Sequence, residues 1–184
     1  MLHGKHPRFT FVSSSLSGNY LQLVGAELLA RAIVSFAGEG YPTPGPSPVV
    51  ARALEQNDCV FEHWTMLTLS QRLFAGAQGV PFTTTRSLAG SDMARELEAH
   101  GVYREIENPF APGSRQAVIR ALRPDLAFVH AWAADPAGHA LCFPPHQENV
   151  YGALAAREGV ILTVHRVVDT AFIRRHAHLV RIPA

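Results

Sequence analysis

Hydrophobic and polar positions follow two periods along the chain, and the switches between them divide it into strands and helices. Residues 9–14, Phe-Thr-Phe-Val-Ser-Ser, form a β-type run that ends in small polar side chains, as a buried strand ending at a site does. Gly18 closes it. Tyr20 to Leu29 places Leu21, Val24 and Leu28 on one helical face, and residues 31–36 read as a second strand. Residues 38–48 hold four prolines and three glycines and form a loop. Pro48 suits a helix start, where its missing N–H costs nothing, and the spacing predicts a helix over 49–56 that Asn57 and Asp58 stop.

Residues 59–64 are a third strand, and 66–78 a helix carrying Leu69, Leu73 and Ala77 at helical spacing, ended by Pro81. Gly76 and Gly79 mark places where another backbone comes close. A small-residue loop at 86–92 leads to one or two helical turns at 93–100, and Pro109 and Pro112 mark another loop. The longest apolar strand is 126–132, interrupted by His130. Asp135-Pro136-Ala137-Gly138 then turns the chain into a short return strand at 140–143. A helix at 147–158, capped by Gly159, and a buried strand at 159–164 follow.

Strands alternating with helices predict an open, mainly parallel α/β sheet, in which ligands bind beyond the carboxyl ends of the strands. The candidate rim is therefore 13–17, 38–40, 64–66, 83–87 and 130–135. Composition agrees with a packed core: 184 residues, 47% hydrophobic and 17% charged, read as a single domain over 1–184. A chain of this length buries roughly 70% of its unfolded surface without a metal or disulfide staple.

Charge removes two classes of partner. A net charge of +1 gives no electrostatic reason to bind nucleic acid or an anionic membrane. Lys5 is the only lysine, so Schiff-base chemistry has almost no candidate. Cys59 and Cys142 stand far apart, without metal-ligand or disulfide-framework spacing, which fits a reducing cytoplasm. Residues 1–8 are polar with no signal-peptide core after them, and no run of about 18 apolar residues exists.

Several motifs are excluded on inspection. Gly38 and Gly40 invite a dinucleotide reading, but Pro42, Pro44 and Pro46 prevent the helix that would face a pyrophosphate. No Walker glycine loop occurs, and neither Ser17 nor Ser91 sits in a Gly-x-Ser-x-Gly elbow. The histidine pairs His3/His6 and His176/His178 lack a third ligand at suitable spacing, so no metal is assigned. His130, if buried, must find a polar partner. Glu62 and His63 are adjacent on a strand, so they point to opposite faces and cannot act as one pair. Glu148 and Asp169 read as helix-end or surface acids.

At residues 79–92, Gly-Val-Pro-Phe-Thr-Thr-Thr-Arg-Ser-Leu-Ala-Gly-Ser-Asp, the sequence resembles the A (alpha) subunit of family I CoA-transferases, especially the glutaconate CoA-transferase type. Further stretches agree in order: 23–26, 48–55, 69–79 with Arg72 and Gly76, 122–131, 134–140, and 160–164 leading to Asp169. The resemblance implies a Rossmann-like open sheet with helices on both faces, and transfer of CoA from an acyl-CoA to a carboxylic acid. Family chemistry uses a glutamate that attacks the thioester and passes through an anhydride and an enzyme–CoA thioester. That glutamate belongs to a B-type partner subunit, and no residue of this chain matches its motif, so no catalytic residue is assigned here. CoA is a substrate, with no permanently bound cofactor.

The substrate-binding rim expected from this reading is Ser14, Ser17, Trp64, Thr65, Arg86 and His130, with Arg86 placed to fork onto a substrate carboxylate. The competing role for Arg86 is a bridge to Asp92. Against the family pattern the chain is expected to be short at both ends, lacking an upstream strand and glycine-rich loop. An exposed edge or apolar patch is therefore expected near residues 9–14 and near Ile182. Two alternatives stand: a non-catalytic structural or regulatory subunit, and a ring-opening acyl-CoA hydrolase subunit. The hydrolase would want an acid near 64–67, where this chain has Thr65 and Met66.

Overall fold

A computed structural model describes residues 7–40 and 42–184. In chain order the elements are β1 (Phe9–Leu16), a 3-10 turn (Gly18–Tyr20), α1 (Leu21–Gly25), β2 (Leu29–Ala37), α2 (Pro48–Glu55), β3 (Val60–His63) and α3 (Met66–Ala77). There follow β4 (Phe82–Thr85), α4 (Asp92–Ala99), β5 (Tyr103–Glu107), β6 (Arg115–Arg120) and β7 (Leu126–Ala134). The chain ends with β8 (Ala140–Leu141), α5 (Glu148–Ala155), β9 (Gly159–Val167), α6 (Thr170–Arg175), a second 3-10 turn and β10 (Val180–Ile182). Contacts gather into two units: the chain up to Leu69 with Arg86–Arg104, and Ser70–Thr85 with Glu105–Ala184.

In the first unit β1, β2 and β3 pair parallel in that order, with Phe11 opposite Ala32 and Val34 opposite His63. Parallel neighbours need a crossover, and α1 and α2 supply the two. Both helices cover one face, where Leu21, Val24, Val50 and Ala53 pack with Ala32, Val34 and Phe61. Each buried Leu, Val or Phe side chain among them contributes roughly 1.5–3 kcal/mol by leaving water. The helix predicted over 20–29 stops at Gly25, because Glu27 turns left-handed at φ 56°. The Glu27 and Leu28 N–H groups donate back to the Val24 and Leu23 carbonyls, a pattern that closes a helix and frees Leu29 for β2. Asn57, at φ 54°, ends α2 the same way, with Asp58 N–H donating to the Ala53 carbonyl.

In the second unit the sheet order is β10-β8-β7-β9, with β7 and β9 parallel and β8 antiparallel to both neighbours. Ala127, Val129 and Ala131 of β7 pack with Val150 and Ala153 of α5. β10 is an outer strand of its sheet, so the edge expected near Ile182 is present, but Ile182 itself joins the core at 4% exposure, which corrects the expected apolar patch: β10 pairs with β8 and turns Ile182 inward. The edge expected at residues 9–14 is present, since β1 is an outer strand of its sheet and Phe9 is exposed.

A third sheet, β4-β6-β5, has no counterpart in the sequence expectation, which placed 83–87 on a rim without a strand. Here β4 pairs antiparallel with β6, Thr83 opposite Ile119. The fold class is α/β as expected, but its strands form three sheets rather than one. Gly76 does mark a close approach: a Cβ there would stand 2.2 Å from the Leu122 carbonyl oxygen. Gly79 instead takes φ +74° with open space around it, so it serves to end α3.

Candidate active site

The carboxyl ends of β1, β2 and β3 lie side by side in the first unit. At the end of β1, Ser15 Oγ and Ser17 Oγ share a hydrogen bond of 2.8 Å, and Ser15 N–H donates to Ser13 Oγ at 3.3 Å. The loop after β2 folds onto this turn. Glu39 and Gly45 exchange backbone hydrogen bonds of 2.8 and 3.2 Å, and a Cβ on Gly38 would meet the Gly45 carbonyl oxygen at 2.5 Å. Gly40 lies against Ser17, whose Oγ stands 3.6 Å from where a Cβ would project. The prolines therefore shape a tight bridged loop, with no helix among the described residues between β2 and Pro48.

On the face of this sheet away from α1 and α2, the register aligns Val12, Ile33 and Glu62, and one step further Ser14, Ser35 and Trp64. Trp64 N–H continues the ladder by donating to the Val34 carbonyl at 2.8 Å. Ser35 Oγ is buried without a hydrogen-bond partner among the described residues. Glu62 is fully buried. Its Oε2 accepts from Arg31 at 2.7 Å and its Oε1 from the indole N–H of Trp64 at 2.8 Å. Adjacent His63 stacks on Phe61 and approaches Glu96 of α4 at 3.9 Å, so Glu62 and His63 do serve opposite faces.

These contacts define what the expected rim residues do. Trp64 is buried at 1% exposure and spends its N–H on Glu62. Thr65 caps α3: its Oγ1 accepts from Thr68 N–H at 3.1 Å and lies 2.8 Å from Thr68 Oγ1. Ser35 has no signal of its own in the sequence, and Glu62 stands out there only as the neighbour of His63, with no partner assigned. The available signal was a glutamate inside the apolar run Val-Phe-Glu-His-Trp, which must be paired once buried.

Arg86 is in the same unit, on the segment that leads from β4 to α4. It is exposed and makes no ion pair among the described residues. The bridge to Asp92 is absent, because Asp92 pairs with Arg95 one turn along α4. Ser91 caps that helix, accepting from Ala94 N–H at 3.1 Å.

His130 belongs to the second unit. It lies mid-strand, since β7 continues to Ala134, and it is exposed rather than buried. Its Nδ1 is 2.9 Å from Thr163 Oγ1 and its Nε2 3.0 Å from His165 Nε2. The turn after β7 is organised by Asp135, which accepts from the N–H groups of Ala137 and His139 at 3.1 and 3.0 Å and from Thr170 at 3.0 Å. Burial by itself raises the Asp135 carboxyl, but the hydrogen bonds from His139 and Thr170 and the charge of His139 outweigh it and hold it below its ordinary value.

Asp169 caps α6 and Glu148 opens α5, as helix-end acids. Cys59 and Cys142 are free and buried, and burial pushes both thiols up. Among the described residues no three His, Cys, Asp or Glu side chains gather as a metal cluster. His176 and His178 are 6.5 Å apart by ring centroid, and His176 is bonded to the Phe172 carbonyl. The pair His3/His6 lies outside the described residues. No described helix is long and apolar enough to cross a membrane.

Residues 8–184 match the model of one family, coenzyme A transferase. The chain belongs to the coenzyme A transferase family. It is 30% identical over 153 residues to the A-type subunit of the 3-oxoadipate CoA-transferase of Pseudomonas knackmussii, covering 82% of this chain and 52% of that protein. Its fold superposes on the glutaconate coenzyme A-transferase of Acidaminococcus fermentans with a TM-score of 0.83 at 21% identity, over 96% of this chain and 59% of that one. A variant of the decarboxylase AibA/AibB matches at 30% identity with a TM-score of 0.69, over 87% of this chain and 59% of that one. This coenzyme A transferase family chain thus spans between half and three-fifths of the length of these relatives.

Proposed function

We propose that the chain is an A-type subunit of an acyl-CoA transferase, moving CoA between an acyl-CoA and a free carboxylic acid beside a B-type chain that carries the nucleophilic glutamate. The observation that carries this reading is the family match across residues 8–184, together with the A-type relative from the 3-oxoadipate enzyme. The partner's carboxylate attacks the thioester carbonyl, CoA thiolate leaves, and a mixed anhydride remains. The thiolate then attacks the glutamyl carbonyl, releasing the acid and leaving CoA on the glutamate as a thioester; an acceptor acid reverses the sequence.

This chain's part is to hold the acyl end and exclude water from the anhydride. In this reading the hydroxyls of Ser14 and Ser17 and the unspent hydroxyl of Ser35 contact the substrate. Trp64 and Thr65 form the wall beneath them, and Arg86 forks onto a carboxylate. CoA enters as substrate only. The free thiols Cys59 and Cys142 suit work in a reducing cytoplasm.

The test is to purify the chain alone and with the product of the neighbouring gene, then follow exchange of label between acetyl-CoA and free acids. Exchange in the mixture and not in either component is the expected result; the absence of both exchange and complex formation overturns the reading. A second reading, decarboxylation, is favoured by the match at 30% identity to a decarboxylase. Release of labelled CO2 from a carboxyl-labelled acyl-CoA, without CoA exchange, would select it.

A further inference from the structure

Strands β7 and β9 place His130 opposite Thr163 and Ala131 opposite Val164. His165 therefore lies two positions past the partner of His130, on the same face of the strand pair. That face is the outer one. Ala127, Val129 and Ala131 point into the core, whereas Phe128 and Val167 are each 72% exposed and both histidines are exposed. The two rings meet edge to face at 4.5 Å between centroids.

Two observations give this pair a ligand's geometry. The Nε2 atoms are 3.0 Å apart. Zinc–imidazole bonds are about 2.0–2.1 Å long, so two ligands at right to tetrahedral angles stand about 2.9–3.4 Å apart, a window the pair already occupies. The second is the bond from His130 Nδ1 to Thr163 Oγ1 at 2.9 Å. An outer bond on one ring nitrogen holds the ring in the orientation that presents the other nitrogen as the donor atom, as it does for metal-bound histidines generally.

We propose that His130 and His165 form a two-histidine chelate for a divalent transition ion such as Zn2+, Ni2+ or Cu2+, with its other coordination positions open to water or an external ligand. Imidazole pairs favour ions of this class over Mg2+ and Ca2+. The proton between the two Nε2 atoms passes on binding to the Nδ1 of the ring that carries it, so both rings bind neutral. No third His, Cys, Asp or Glu joins the cluster among the described residues, so the site stays open. An exposed hydrogen bond between two rings adds little to a strand pair already held by its backbone ladder.

Isothermal titration of the full chain, without a histidine tag, by Zn2+, Ni2+, Cu2+ and Mg2+ tests this. The expected result is one transition ion per chain with a micromolar Kd and no Mg2+ binding. His130→Ala and His165→Ala each weaken binding at least about tenfold, and the double variant shows no binding up to about 1 mM ion. Thr163→Val weakens it by about tenfold with both ligands intact. The double variant His176→Ala/His178→Ala leaves the Kd unchanged, and circular dichroism of every variant matches the parent. Absence of binding up to about 1 mM ion, or binding that survives loss of both His130 and His165, overturns the proposal.

Discussion

Trp64 donates its indole N–H to Glu62 across 2.8 Å, with both side chains buried. The bond ties the end of the third parallel strand to a carboxylate whose second oxygen is held by Arg31 of β2 at 2.7 Å. A charged acid inside an apolar sheet persists only with such partners. The pair thus sets the floor under the serine-bearing end of the sheet.

Trp64→Phe removes the donor and keeps most of the apolar volume. Leaving a buried carboxylate oxygen short of a donor costs about 1–3 kcal/mol. Urea unfolding should show that loss, and a change smaller than about 0.5 kcal/mol would mean the bond contributes little to the fold.

Gly76→Ala tests the contact of α3 with the chain before β7. The new Cβ would meet the Leu122 carbonyl oxygen at 2.2 Å. The backbone there is tied in place, since Leu122 N–H donates to the Arg72 carbonyl at 3.0 Å and Arg72 Nε to the Arg120 carbonyl at 2.8 Å. Overpacking of this kind costs about 1–3 kcal/mol. Gly79→Ala, strained only by its positive φ, should cost about 1–2 kcal/mol. Thermal melts that rank Gly79→Ala as the more damaging would refute the assignment.

Acid should loosen the turn that Asp135 organises. Its folded carboxyl titrates below its ordinary value, so the stabilisation is present above the unfolded pKa of about 3.9 and is lost as pH falls through the lower, folded value. Stability of the parent should therefore fall more steeply below about pH 4 than that of Asp135→Asn, which is weaker at pH 7 but lacks this titration. Parallel curves for the two proteins, from urea unfolding over that range, would remove Asp135 from the account.

Arg86 carries the functional prediction. In the CoA-exchange assay Arg86→Ala should lower kcat/KM about 10–100-fold, the worth of a lost charge-assisted hydrogen bond to a carboxylate. Arg157→Ala is the control: Arg157 lies just past α5 and pairs at the surface with Asp125. Equal effects of the two substitutions would dismiss Arg86 as a substrate contact.

Much of the fold is legible in the residues. The expected strands at 9–14, 31–36, 126–132 and 159–164 lie within β1, β2, β7 and β9, and the helix expected at 66–78 is α3 at Met66–Ala77. β7 buries alternate residues and α3 a helically spaced set, so their own pattern suffices, whereas β9, read as a buried strand, is half-buried to exposed along its length. The sheet β4-β6-β5 escaped notice because β6 buries only Ala117 and Ile119, and β5 only Tyr103. Such strands are defined by whom they pair with.

The same division holds at the site. The serine run and Thr65 are visible as polar residues following predicted strands, and Arg86 as part of the 79–92 stretch that carries the family resemblance. The partnership of Glu62 with Arg31, and the meeting of His130 with His165, are not. Local periodicity determined which residues turn inward, because burial repeats every two or 3.6 residues along the chain itself. Which residues stand opposite one another was decided only by parallel pairing across 31 to 35 positions. That register depends on how the strands and helices pack together, and no local stretch of sequence contains it.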